Sequence, residues 1–308
     1  MNINNALPGN ISVFRSPEDE AKYYAAYEAV LQSWPVPFNE VYIPTRFGAT
    51  HVIVSGSPEN PPVVLLHSSG SGAVQWYKNV GALSQSYRTY AVDVIGEEGK
   101  SLVTHPIKGH FRENFAAWMR EVFDGLQIHS ACMVGNSLGG CIAFNFAISD
   151  PERIKKMVLI SPAATFVQMW PFYWNLMLPR GIYLFTPAWI GDRLNLVRLA
   201  HRAFAWIWQD FPEEERPAQL RRIRNVAGHP RNRIFPPVFT DDELRKIQMP
   251  ILLLIGDHEV IYKPENAIRR ASRWVPGLIA EIVPNANHNA QVTAADVVNE
   301  KMLGFFQG

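Results

Sequence analysis

The sequence predicts an α/β protein. The expected architecture is a mostly parallel sheet of eight strands, helices on both of its faces, and a helical insertion ahead of the last two strands. Three observations carry this. Short continuous apolar runs, "PPVVLLH", "ACMVGNS", "KMVLISP" and "ILLLIG", read as strands buried on both faces. Segments of helical periodicity separate them, and parallel neighbours need such crossovers. The alternation breaks once, over residues 162–238, where no apolar strand core occurs.

In chain order, Ser16-Pro17 followed by "EDEAKYYAAYEAVLQSW" reads as a helix over 17–33, with a serine N-cap, proline at its first position and acids in its first turn. "EVYIPTRFG" and "THVIVSGS" read as a pair of antiparallel strands, and "PPVVLLH" as the first fully buried strand. Residues 74–86 read as a helix and "YRTYAVDV" as a strand. Residues 111–127 place Phe111, Phe115, Trp118, Met119, Val122 and Leu126 on one helical face. "ACMVGNS" is a strand, 138–149 a helix, and "KMVLISP" a strand. Beyond the insertion come strand "ILLLIG", helix 264–274, strand "IAEIVP" and helix 293–306. The implied domains are a core over 1–161, an insertion over 162–238 and the rest of the core over 239–308.

Composition excludes several classes. With 308 residues, 47% hydrophobic and 19% charged, the chain suits one large globular domain with an insertion. A net charge of +1 gives no bulk attraction for nucleic acid or an anionic membrane. The two cysteines, Cys132 and Cys141, fall in apolar runs and read as core, not as a disulfide framework. The start, "MNINNALPGN", has neither a basic n-region nor an apolar h-region, so the expected location is the cytoplasm. Residues 157–179 lack charge and are long enough to cross a bilayer, but they begin as a strand and hold three prolines, so no span is expected. The arginines at 216, 221, 222, 224, 231 and 233 read as a solvated face beside the acids 213–215. "GEEGKS" at 96–101 resembles the tail of a phosphate-binding loop, but Val94 stands where the first glycine belongs. "HEV" at 258–260 lacks the second histidine of a zinc motif, because position 262 is tyrosine; no metal site is expected.

The strongest motif is "MVGNSLGG". Gly135-x-Ser137-x-Gly139 follows a strand and opens a helix, the context of a nucleophile elbow. Small residues two before and two after the serine permit a tight turn that lifts its hydroxyl above the sheet. The helix N-terminus favours developing negative charge. A nucleophilic serine needs a base, and the base an orienting acid. Among nine histidines, His288 lies directly after the last strand, in "IAEIVPNANHNA". His67 reads as a structural histidine bonded to loop backbone, and His258 as pointing outward. The acid belongs between serine and histidine in chain order, and residues 153–191 contain no Asp or Glu. That leaves Asp257 and Glu259 in "ILLLIGDHEVIY". Asp257 abuts the strand and can bond nearby backbone N–H groups, while Glu259 has the longer reach toward a histidine.

With "LLHSSGSGAVQW", "YAVDVIGEEGKS", "GNSLGG", "LLLIGDHEVIY" and "VPNANH", the chain resembles an α/β-hydrolase-fold serine hydrolase over about residues 40–308. It is similar to bacterial carboxylesterases of the naproxen-esterase type. The resemblance implies that the acid is the third residue after Gly256, which is Glu259; glutamate departs from the more usual aspartate. It implies an oxyanion hole from the backbone N–H groups of Ser69 and Leu138, with Ser68 the alternative to Ser69. It implies an acyl-enzyme route needing no cofactor, a small-to-medium hydrophobic ester as substrate, and a monomer or homodimer. A cap over Ser137 would bring some aromatics of the insertion to the pocket, with Trp170, Trp174 and Trp206 as candidates. The alternatives are a carbon–carbon bond hydrolase of dienoic diketones, and a non-catalytic small-ligand receptor on the same fold.

Overall fold

In residues 62–66 every side chain from Val63 onward is fully buried, alternate residues facing opposite layers, which is why the run is apolar throughout. A computed structural model describes residues 9–14, 16–107, 109–174 and 235–308, with Leu178, Thr186 and Ile190 between. Its strands are β1 (Phe38–Thr45), β2 (Gly48–Ser55), β3 (Pro62–Leu66), β4 (Arg88–Val92), β5 (Leu102–Val103), β6 (Ala131–Asn136), β7 (Ile154–Ile160), β8 (Ile251–Gly256) and β9 (Ile279–Val283). They form one sheet in the order β1-β2-β4-β3-β6-β7-β8-β9, with the two-residue β5 pairing to the start of β2. The β1–β2 and β2–β4 pairs are antiparallel, and from β4 to β9 every pair is parallel. Eight of these strands are the eight expected from sequence; β5 is too short to leave a pattern.

Each face of the sheet carries its own apolar layer. Val64 and Leu66 face Phe115, Trp118, Met119, Phe144 and Phe146, from helices Phe111–Gly125 and Leu138–Ser149. Val63 and Leu65 face Tyr23, Tyr27 and Leu31 of helix Pro17–Gln32 and Val298 and Met302 of helix Ala295–Gln307. Each such side chain contributes about 1.5–3 kcal/mol by leaving water. The first helix starts as expected: the Ser16 hydroxyl accepts from the Asp19 N–H at 3.2 Å.

One expected helix is broken, and the last one starts two residues later than expected. Residues 74–86 form a 3₁₀ turn, Ala73–Lys78, and a short helix, Val80–Leu83. Asn79 sits at the break, its side-chain amide donating to Gln291 O at 3.0 Å and Asn299 Oδ1 at 2.8 Å. The last helix runs Ala295–Gln307, preceded by a separate turn, Ala290–Thr293. Among the described residues no helix is long and apolar enough to cross a membrane. Residues 157–160 are the end of β7. The segment beyond is anchored to the core by Phe166 and Met169, with Phe166 edge-on to Phe144 at 5.5 Å. Most of the expected insertion, including Trp206 and the arginines of 216–233, lies outside the described residues.

Going outward from β3, the strand order runs one way through β4 and the other through β6. The loops after β3 and β6 therefore flank the point where the order reverses. In open α/β sheets that reversal, at the carboxyl ends of the parallel strands, is where a ligand crevice is expected.

Candidate active site

Ser137 occupies the turn between β6 and helix Leu138–Ser149 with φ 51° and ψ −114°. Such a backbone costs a non-glycine residue of order 1–3 kcal/mol, and it is held by its surroundings. The Ser137 N–H donates to Ile160 O at 3.0 Å, and the Ala163 N–H donates to Ser137 O at 2.9 Å. The flanking glycines are required by contact. A Cβ on Gly135 would lie 2.4 Å from Gly139 O, and one on Gly139 would lie 2.2 Å from Leu66 O. Strand, turn and helix are thus pressed too close for side chains, as the elbow motif demands.

His288 lies on the loop after β9 and is buried. Its carbonyl accepts from Asn136 Nδ2 at 3.1 Å, which ties it to the residue before Ser137. Its Nδ1 lies 2.7 Å from Glu259 Oε2. The other Glu259 oxygen, Oε1, accepts from the N–H groups of Val260 and Ile261, both at 2.8 Å. The extra methylene of glutamate lets the carboxylate curl back onto its own loop and still reach the histidine. Burial pushes the Glu259 carboxyl up, but the His288 ring and the Ile261 N–H outweigh it, and the group stays ionised below the ordinary glutamate value.

Asp257 does something else. Its two oxygens accept from the N–H groups of Ala286 and Asn285 at 3.1 and 3.0 Å, pinning the loop that carries His288. His258 points into solvent with its side chain 66% exposed, beside Asp257.

The loop after β3 is fixed from both sides. His67 donates from Nδ1 to Ser68 O at 2.7 Å and accepts at Nε2 from the Val94 N–H at 2.9 Å, which assigns its tautomer and leaves it no role as a base. Burial holds its pKa below the usual histidine value. Because the peptide is planar and trans, tying down Ser68 O turns the Ser69 N–H the opposite way. The Ser68 N–H is already given to Gln75 Oε1 at 2.8 Å. Leu138 opens its helix, so its N–H has no intrahelical acceptor.

Three further residues around the site carried no sequence signal of their own. Gln75 and Asn136 form a buried amide network under the loops. Glu97 accepts from Ser69 Oγ at 2.5 Å and from the Gly70 N–H at 3.1 Å. Burial, and then the neighbouring Glu98, push the Glu97 carboxyl up to about 8. "GEEGKS" is thus a buried support for the loop after β3 and not a phosphate cradle.

Of the candidate pocket aromatics, Trp170 and Trp174 are 60% and 63% exposed and are not gathered into the buried site. Trp206 lies outside the described residues. No group of three or more His, Cys, Asp or Glu that could hold a metal ion occurs among the described residues.

Residues 61–295 match the family described as the alpha/beta hydrolase fold. A Bacillus subtilis protein named "uncharacterized carboxylesterase nap" is 40% identical over 92% of this chain and 92% of its own. Carboxylesterase YbfK of the same organism is 38% identical over 96% of this chain and 97% of its own. The crystal structure of the Bacillus subtilis naproxen esterase superposes with a TM-score of 0.80 at 35% identity, covering 94% of this chain and 99% of that one.

Proposed function

Given that the chain belongs to the α/β-hydrolase family, we propose that it is a serine carboxylesterase working through Ser137, His288 and Glu259. The observation that carries this reading is the buried 2.7 Å contact between His288 Nδ1 and Glu259 Oε2, on a loop bonded to the residue before a strained serine. The esterase names of the two Bacillus relatives support it.

In the proposed cycle Ser137 Oγ attacks the ester carbonyl carbon while His288 Nε2 takes the hydroxyl proton. The carbonyl oxygen becomes an oxyanion held by the N–H groups of Ser69 and Leu138. One such donor is worth about 2.7–4 kcal/mol of transition-state stabilisation. Glu259 fixes the ring through Nδ1 and stabilises the imidazolium. Collapse expels the alkoxide, which takes the proton from His288 and leaves as alcohol. Water, deprotonated by His288, then attacks the acyl-enzyme carbonyl; collapse of that adduct breaks the bond to Ser137 Oγ, which takes the proton back from His288, and the acid is released. Every proton and electron pair is accounted for with water as the only co-substrate, so the route uses no cofactor.

The preferred substrate in this reading is a hydrophobic, small-to-medium ester. The segment after β7 begins apolar and buried, with Phe166 and Met169, while the exposed Trp170 and Trp174 are left out of the proposed acyl or alcohol pocket. The test is fluorophosphonate labelling with p-nitrophenyl ester turnover over a chain-length series. Stoichiometric label on Ser137 and loss of turnover in Ser137→Ala are expected. Full turnover by that variant would refute the scheme, and cleavage of dienoic diketones in preference to esters would redirect it.

A further inference from the structure

One primary amide touches three of the four loops that the mechanism needs, all but the one that carries Glu259. Gln75 lies in the 3₁₀ turn Ala73–Lys78 and is buried. Its Oε1 accepts from the Ser68 N–H at 2.8 Å, on the loop after β3. Its Nε2 donates to Asn136 Oδ1 at 3.0 Å, on the serine elbow, and to Asn289 Oδ1 at 3.2 Å, next to His288. Asn136 extends the frame: its Nδ2 donates to His288 O and Ile160 O, both at 3.1 Å, and its Oδ1 also accepts from Gln291 Nε2 at 3.1 Å.

We propose that Gln75 is the positioning residue of the active site, a neutral clip that sets where the Ser69 N–H and the His288 ring stand relative to Ser137. The proposal rests on the serine-esterase reading above. Both Nε2 hydrogens and Oε1 of Gln75 are engaged, as are both Nδ2 hydrogens of Asn136. Gln291 Oε1, at the edge of the network, has no hydrogen-bond partner among the described residues, but the two central amides are engaged on the hydrogens that join the loops, and such buried bonds rigidify what they join. The partners are far apart in sequence, so no local turn could hold them in register. The clip is also uncharged. A carboxylate in its place would face two acceptor oxygens, Asn136 Oδ1 and Asn289 Oδ1, and would set a negative charge beside the developing oxyanion.

The test compares full-length wild type, Gln75→Leu and Gln75→Glu, with turnover of p-nitrophenyl butyrate expressed per fluorophosphonate-labelled site. Wild type is labelled first; failure to label would sink the esterase reading and this proposal together. With labelled wild type, Gln75→Leu is expected to lose kcat by about 100-fold, the scale of a displacement near 1 Å in a reacting geometry. KM should stay within about threefold, and a trifluoromethyl ketone should lose affinity by the same factor as kcat/KM, since only transition-state binding is affected. In Gln75→Glu the ratio of its kcat to that of wild type should rise at least about fivefold from pH 8 to pH 6, because a protonated carboxyl regains a donor for Asn136. Turnover per labelled site within about threefold of wild type in either variant would refute the clip, as would a flat pH ratio in Gln75→Glu. If Gln75→Leu does not fold, the pH ratio of Gln75→Glu decides the matter alone.

Discussion

Two acids sit two residues apart on one loop, and the structure gives them different work, so exchanging their charges one at a time separates orientation from scaffolding. In Glu259→Gln the carbonyl of the new amide can still accept from Val260 and Ile261, which turns its NH₂ toward His288. Nδ1 must then accept, the ring proton moves to Nε2, and His288 can no longer take the proton from Ser137. The lost charge adds to this. The contact is 2.7 Å, with the two side chains 6% and 0% exposed. At an effective dielectric of about 20 and a charge separation near 4 Å, the imidazolium loses roughly 4 kcal/mol, about three decades in rate. With the tautomer error included, kcat on p-nitrophenyl butyrate at pH 8 should fall by about 10³–10⁴-fold. Asp257→Asn keeps one acceptor oxygen for the Asn285 and Ala286 N–H groups at a partly exposed position. It should lower Tm by about 1–3 °C and leave kcat within about fivefold. Steady-state kinetics and a thermal melt on the two variants decide it. Near-normal turnover in Glu259→Gln with a collapse in Asp257→Asn would overturn the assignment.

Ser137→Gly should be inactive yet melt above wild type, by an amount corresponding to about 1 kcal/mol, because glycine relieves the φ of 51°; a lower Tm than in Ser137→Ala would contradict the strain. Glu97 has a carboxyl raised to about 8 against an ordinary value of 4.5, so its contribution to stability is complete below 4.5 and is lost as pH rises through about 8. Urea midpoints should therefore fall more between pH 6 and 9 in wild type than in Glu97→Gln. His51 stands between Asp93 Oδ2 at 2.7 Å and Glu40 Oε2 at 2.9 Å. Burial lowers its pKa, but the two carboxylates prevail and raise it, while Glu40 is lowered to about 2 and Asp93 is lowered as well. The histidine's contribution is complete below 6.5 and fades as pH rises through its raised native value; the acids' contributions are present above 4.5 and 3.8 and fade as pH falls. His51→Gln should therefore lose stability mainly in the mildly acidic range, measured as the urea midpoint from pH 4 to 9.

What could be read from the residues follows from how local each constraint is. β3, β6 and β8 are buried on both faces, so burial alone makes them unbroken apolar runs. The elbow was legible because contacts of 2.2 and 2.4 Å at Gly139 and Gly135 forbid any side chain there. Asp257 and Glu259 could not be separated from the residues alone. Which carboxylate reaches His288 depends on how residues 257–261 curl, and that is set by backbone N–H groups every sequence has. Gln75 is the extreme case. It is one polar residue between Val74 and Trp76, and its meaning lies wholly in partners 61 and 214 positions away. The broken helix at Asn79 has the same origin, since Asn79 donates to residues 212 and 220 positions further on. Local pattern thus reports the layers and the elbow that carries the proposed nucleophile. The alignment of the proposed base and oxyanion donors is held by buried amides whose bonds close only after distant loops meet. Substitutions at these amides are therefore expected to damage turnover well before they damage the fold.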